Sequence, residues 1–111
     1  MVFFFGIGCA SHHQGPEAVE NGVRFTLSAP MARSVAIAGS FNRWDSHRDM
    51  LIPADGRGFW SITLPLPPGR YEYRFVINGE TWVLDPAAPE IDDGMGGKNS
   101  LLIVEDKPTG K

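Results

Sequence analysis

The chain lacks the features that mark several classes of protein. Cys9 is its only cysteine, which excludes an internal disulfide and a cysteine-rich metal site. Ten basic against thirteen acidic side chains give a formal net charge of −3, so no basic surface is available for nucleic acid. No apolar run approaches the roughly 20 residues of a membrane-spanning helix. We therefore expect no metal, no cofactor and no nucleic-acid partner.

What is present is a chain divided by turns. Thirteen glycines and nine prolines separate seven short segments, several of which alternate apolar and polar residues with a period of two. The clearest segment, Arg70 to Ile77, places tyrosine, phenylalanine and isoleucine on one face and Glu72, Arg74 and Val76 on the other. This pattern predicts an all-β fold, an immunoglobulin-like sandwich of about seven short antiparallel strands.

The same pattern predicts how the chain is organised. With 111 residues there is room for one domain, which we place at residues 18–106. An N-terminal tail, residues 1–17, and a C-terminal tail, residues 107–111, flank it.

Several short motifs follow one another in a fixed order along this domain. They are Gly39-Ser40-Phe41-Asn42-Arg43-Trp44, then Pro67-Pro68-Gly69-Arg70-Tyr71-Glu72-Tyr73-Arg74-Phe75, then Asn78-Gly79 with Trp82, then Asp85-Pro86, and finally Asn99. Together they resemble the glycogen-binding domain of the AMP-activated protein kinase β subunit and its bacterial relatives, carbohydrate-binding module family 48. The resemblance runs from about Ala18 to Glu105. It implies an early-set immunoglobulin-like sandwich that binds an α-glucan and catalyses nothing.

The resemblance also implies a sugar-binding site. Its residues are Trp44, Arg74, Trp82, Met95 and Asn99. A threonine of the family's last loop corresponds to Gly97 here, so one hydroxyl contact is expected to be missing. Independently of the family, an indole offers a rigid surface to the apolar face of a pyranose ring, and arginine and asparagine can bond its hydroxyl groups. Two such indoles and a few hydrogen bonds predict micromolar to millimolar affinity.

The turn after Ile77 decides whether Trp82 can serve this site. A two-residue turn pairs Phe75 with Trp82 and sends the indole to the core face. A three-residue loop, Asn78-Gly79-Glu80, instead pairs Val76 with Trp82 and leaves the indole on the face of Arg74. We predict the three-residue loop, because the outer face then gains a partner for Arg74.

Catalysis and protein–protein interaction are the alternatives to sugar binding. Pairs of carboxylates occur at Asp45/Asp49 and Asp92/Asp93, but each pair is close in sequence and turn-like, whereas glycoside hydrolysis needs carboxylates that face each other across the sugar. We therefore expect no enzyme. The remaining alternative is a protein–protein interaction module of the same fold, docking through an edge strand or through an exposed aromatic surface without any sugar.

The N-terminal tail has two open interpretations. An apolar run with small residues leads into Cys9, and a polar stretch follows, which is typical of the end of a bacterial lipoprotein signal. Cys9 would then carry a lipid that tethers the protein to a membrane in the cell envelope. The run is short and has no basic residue before it, so an unmodified tail on a cytoplasmic protein is the alternative.

If Cys9 is lipidated, the product of the full gene will incorporate radioactive palmitate and will fractionate with membranes. Cys9→Ser will abolish both, because the thiol that receives the lipid is absent. An unlabelled full-length product in the soluble fraction would favour the unmodified tail.

Overall fold

A computed structural model describes residues 15–106, which form ten strands and no helix. The strands are β1 (Glu17–Val19), β2 (Gly22–Ser28), β3 (Val35–Gly39), β4 (Asp49–Met50), β5 (Ile52–Pro53), β6 (Phe59–Leu64), β7 (Gly69–Ile77), β8 (Thr81–Val83), β9 (Glu90–Asp92) and β10 (Lys98–Val104). Within this part of the chain there is consequently no helix that could cross a membrane. Cys9 and the lipid attachment predicted there lie outside the described residues.

The strands form two antiparallel sheets. One has the order β1-β2-β6-β5, and the other has the order β4-β3-β7-β10-β9, with β8 also paired to β7. Strand β7 is central to the second sheet: β3 lines one of its edges, while β10 and β8 follow one another along the other edge. The predicted all-β sandwich is confirmed.

The core lies between the two sheets and is rich in aromatic rings. Phe25 of β2 meets Tyr73 of β7 edge-on with ring centroids 5.1 Å apart, and Tyr73 meets Phe75 in the same way at 5.8 Å. All three rings are fully buried. The period-two alternation of β7 therefore has the predicted outcome, with its aromatic face inside and Arg74 on the outer face.

The structure has ten strands where seven were predicted, because two short edge strands are added and one predicted strand divides. Strands β1 and β9 are short additions at sheet edges, and one predicted strand divides into two. Met50 pairs with Ala36 in the sheet of β7, whereas Ile52 pairs with β6 in the other sheet. Leu51 between them is buried, and its N–H donates to the carbonyl of Val35 at 2.8 Å. The chain thus crosses from one sheet to the other at Leu51, which an apolar triplet alone does not reveal.

A buried polar cluster ties β7 to the loop that follows β8. The Tyr73 hydroxyl donates to Oδ2 of Asp85 at 2.6 Å, and the Asp85 N–H donates to Oγ of Ser100 at 2.8 Å. Oδ1 of Asp85 accepts from the N–H of Ala87 at 2.9 Å. Burial raises the pKa of Tyr73 well above its usual value, and the Asp85 carboxylate raises it further, so the hydroxyl remains a donor.

Tyr73→Phe is expected to lower the free energy of unfolding by about 1–3 kcal/mol, because it leaves a buried carboxylate oxygen without its donor. Tyr71→Phe is the matched control in the same strand. It removes a bond to the carbonyl of Pro67 at an exposed position, and its cost should stay within about 1 kcal/mol. Urea denaturation measures both. Equal losses would contradict the importance of the buried pair.

Candidate functional site

The outer face of the six-stranded sheet, the face turned away from the core, carries the predicted site residues Trp82 and Arg74. Cross-strand partners share a face, so the register defines a row of Met50, Ala36, Val76 and Trp82 across β4, β3, β7 and β8. Arg74 lies two residues from Val76 on the same strand and is therefore on the same face.

The loop between β7 and β8 has the predicted three-residue form. Val76 pairs with Trp82, and Asn78 and Gly79 adopt left-handed conformations with φ of 55° and 76°. Oδ1 of Asn78 accepts from the N–H groups of Arg33 and Ser34, which anchors the loop to the chain before β3. Trp82 is consequently 41% exposed and lies on the outer face, as predicted.

The loop after β3 presents the other tryptophan of the site. Arg43 and Trp44 both have φ of 60°, a conformation that costs non-glycine residues about 1–3 kcal/mol each and that needs support from its surroundings. Asn42 supplies that support: it is buried, its Oδ1 accepts from the N–H of Gly39 at 3.0 Å, and its Nδ2 donates to Asp49 at 2.8 Å. The N–H of Trp44 also donates to the carbonyl of Gly39.

Trp44 packs on a small apolar cluster of the outer face. The cluster consists of Ala36, Ala38 and Val76, each at most 2% exposed. Val76 is also the cross-strand partner of Trp82. Both indoles therefore lie beside the same apolar cluster of the outer face.

Arg74 is held in place by a hydrogen-bond network. Its Nε donates to Oδ1 of Asn99 at 2.9 Å, and its Nη2 donates to the carbonyl of Lys98 at 2.6 Å and to Oδ2 of Asp93 at 3.3 Å. Asn99 is only 7% exposed, and its Nδ2 donates to Oε1 of Glu72 at 3.0 Å. Asn99 thus positions Arg74. Among residues 15–106, Nη1 of Arg74 has no hydrogen-bond partner and is available to a ligand.

Asp93 organises the loop between β9 and β10. Its Oδ1 accepts from the N–H groups of Met95 at 2.7 Å and Gly97 at 2.9 Å. These bonds, with the Arg74 charge nearby, lower the pKa of Asp93 below its ordinary value of 3.8. Its contribution to loop stability is therefore present at neutral pH and is lost as the pH falls through that lowered pKa. Met95 is 88% exposed at the loop's tip.

The absence of a side chain at Gly97 makes room for this aspartate. A Cβ at Gly97 would lie 2.8 Å from Oδ2 of Asp93 and 3.5 Å from Nη2 of Arg74. The threonine of the resembling family would therefore collide with the carboxylate. Here the loop has no side chain at position 97, and it bonds Arg74 through the carboxylate of Asp93.

Sequence reasoning named Trp44, Arg74, Trp82, Met95 and Asn99, and it missed two residues of the network. Glu72 could have been found, because it lies two residues before Arg74 and shares its face. Asp93 was considered only as half of an acidic pair, and nothing in its local sequence connects it to Arg74. The other acidic residues bond nearby groups: Asp45 and Asp92 accept from backbone N–H groups two residues later.

Comparisons with known proteins identify what this chain is similar to. The family model described as the glycogen recognition site of AMP-activated protein kinase matches residues 23–109. The chain is 38% identical over 94 residues to the chloroplastic protein PTST of Arabidopsis thaliana, covering 83% of this chain and 33% of the relative. It is 39% identical over 66 residues to the 1,4-alpha-glucan branching enzyme GlgB of Marinobacter nauticus, covering 60% of this chain and 10% of the enzyme. The chain thus spans a third or less of the length of these relatives.

A double-mutant cycle tests the fit between Gly97 and Asp93. Gly97→Ala should lower the melting temperature by about 4–8 °C, because the new methyl group displaces the carboxylate from Arg74. In an Asp93→Ala background the same substitution should have a much smaller effect. Gly94→Ala controls for a glycine of the same loop whose Cβ would meet nothing within 4 Å, although its φ of 81° adds backbone strain in both backgrounds. Equal effects of Gly97→Ala in the two backgrounds would contradict the fit.

Proposed function

Because the chain belongs to the family of the glycogen recognition site of AMP-activated protein kinase, we propose that it binds an α-1,4-glucan, such as glycogen, starch or a maltooligosaccharide, without catalysing a reaction. The observation that carries the proposal is the pair of indoles, Trp44 and Trp82, that lie beside one apolar cluster of the outer face. Arg74 on the same face has an amino group free for a hydroxyl.

The physical basis of binding is stacking combined with a fixed polar group. An indole presents a large apolar surface and loses little side-chain entropy when a sugar ring covers it. For comparison, stacking of a flat ring on an aromatic side chain is worth about 1–3 kcal/mol in single-strand nucleic-acid binders. Two such contacts, less the cost of ordering the sugar chain, correspond to micromolar to millimolar affinity.

The absence of catalysis is proposed from the extent of the similarity. The branching enzyme acts, by its name, on 1,4-α-glucan, but only 10% of its length is matched by this chain. Within residues 15–106 the two carboxylates nearest Arg74 are engaged by protein groups: Glu72 accepts from Asn99 and Asp93 accepts from Arg74. The proposal therefore assigns the chain a binding role.

We expect the protein to be retained on amylose and glycogen but not on cellulose, because the β-linked chain is flat and extended and does not follow the curved path of an α-1,4-glucan. Trp82→Ala and Trp44→Ala should each weaken binding of maltoheptaose about tenfold or more, since each removes one stacking surface. Isothermal titration calorimetry measures the affinities.

Trp60→Phe provides the matched control. Trp60 lies on the other sheet, packs against the core and donates its Nε1–H to the carbonyl of Ala29 at 3.0 Å. Its replacement should leave the affinity for maltoheptaose unchanged. Equal retention on cellulose, or no retention on any α-glucan, would overturn the proposed function and favour the interaction module of the same fold.

A further inference from the structure

A polar hollow opens on the outer face beside Trp44. Its lining residues are Ser40, Trp44, Arg70 and Glu72. None of the predicted site residues except Trp44 lines it. The hollow therefore adds a carboxylate, a guanidinium and a hydroxyl to one side of an indole already assigned to stacking.

The polar side chains around Arg74 are largely engaged within the protein. Asn99 is nearly buried and uses both ends of its amide within the protein. Gly97 has no side chain, and Asp93 is bonded to the loop and to Arg74. Of the side-chain groups in this hydrogen-bond network, within residues 15–106, Nη1 of Arg74 has no partner, so we look for further recognition of hydroxyl groups on a neighbouring surface.

The hollow has the polar groups that such recognition requires. Nη2 of Arg70 and Oε2 of Glu72 are 3.9 Å apart, too far for a good hydrogen bond, and the Arg70 side chain is 55% exposed. Ser40 uses its oxygen to accept from the backbone N–H of Glu72 at 3.1 Å, which leaves its own proton for another acceptor. Donors and an acceptor thus stand open to solvent beside an aromatic wall.

Glu72 is already ordered before any ligand arrives. Its Oε1 accepts from Nδ2 of Asn99, which in turn bonds Arg74. A side chain held in this way loses little conformational entropy when its second oxygen accepts a bond from a ligand. The Asn99 amide links the hollow directly to the Arg74 part of the face.

The hollow also lies where a chain running across both indoles would continue. Glu72 and Val76 are four residues apart on β7, which corresponds to about 13 Å along the strand. Trp82 is the cross-strand partner of Val76, while Trp44 packs on the cluster that contains Val76 and also lines the hollow. Trp44 therefore stands between the hollow and Trp82.

We propose that this hollow is a further sugar subsite, in which Glu72, Arg70 and Ser40 bind the hydroxyl groups of a glucosyl unit that extends the chain beyond Trp44. The inference rests on the proposed glucan binding and deepens it. A chain stacked on Trp82 reaches a subsite at this distance only if it is long enough to pass Trp44, so the subsite makes the affinity of such chains depend on their length.

Isothermal titration calorimetry with maltotriose and maltoheptaose tests the subsite. Arg70→Ala and Glu72→Gln should each weaken maltoheptaose binding about three- to tenfold and change maltotriose binding less than about twofold. Glu72→Gln keeps an oxygen that can accept from Asn99, so it removes the charge and preserves the network. Arg24→Ala is the control, because Arg24 is a comparably exposed arginine paired with Glu17 on the opposite sheet, and it should alter neither affinity.

The possible failures are distinguishable. If Trp82→Ala weakens binding while Arg70→Ala and Glu72→Gln leave both oligosaccharides unaffected, or weaken both equally, the subsite is wrong and the proposed function stands. If the unmodified protein binds neither oligosaccharide, the proposed function itself is overturned, and the subsite with it.

Discussion

The register between β7 and β8 is the constraint on which the outer face depends. Side chains alternate along a strand, so a shift of one residue would move Trp82 into the core and Val83 out of it. The left-handed residues Asn78 and Gly79 open the loop to three residues, and Asn78 bonds the backbone of the chain before β3. A short polar loop outside the binding surface thereby determines whether that surface has a second indole.

Strand β7 serves the core and the binding face at once. Tyr73 and Phe75 point inward, while Arg74 and Val76 point outward. Val76 is completely buried on the outer side, because Trp44 covers the cluster to which it belongs. The indole proposed to stack on sugar therefore also shields apolar surface, so its truncation is expected to cost some stability as well as affinity.

The buried Tyr73–Asp85 pair is connected to the binding face through neighbouring residues of β10. Asp85 bonds Ser100, and the neighbouring Asn99 points the other way and bonds Arg74. The network continues from Arg74 to Asp93, whose carboxylate occupies the space that a side chain at Gly97 would need. Core polarity, loop conformation and the orientation of one arginine are thus parts of one connected arrangement, which limits how freely any member can be substituted.

The sequence by itself determined the features that depend on near neighbours along the chain. Period two assigned the two faces of β7, the expected partner for Arg74 on the outer face favoured the three-residue loop before Trp82, and ordered motifs identified the family. Only the tertiary structure decided that the Met50–Ile52 segment divides between two sheets. It also decided that the Asn99 amide bonds Arg74, and that Asp93 and Glu72 complete the hydrogen-bond network around Arg74. The physical reason is separation: Arg74 and Asp93 are 19 residues apart, and Glu72 and Asn99 are 27 apart. Local periodicity records the direction of a side chain, but its partner depends on which strands lie side by side.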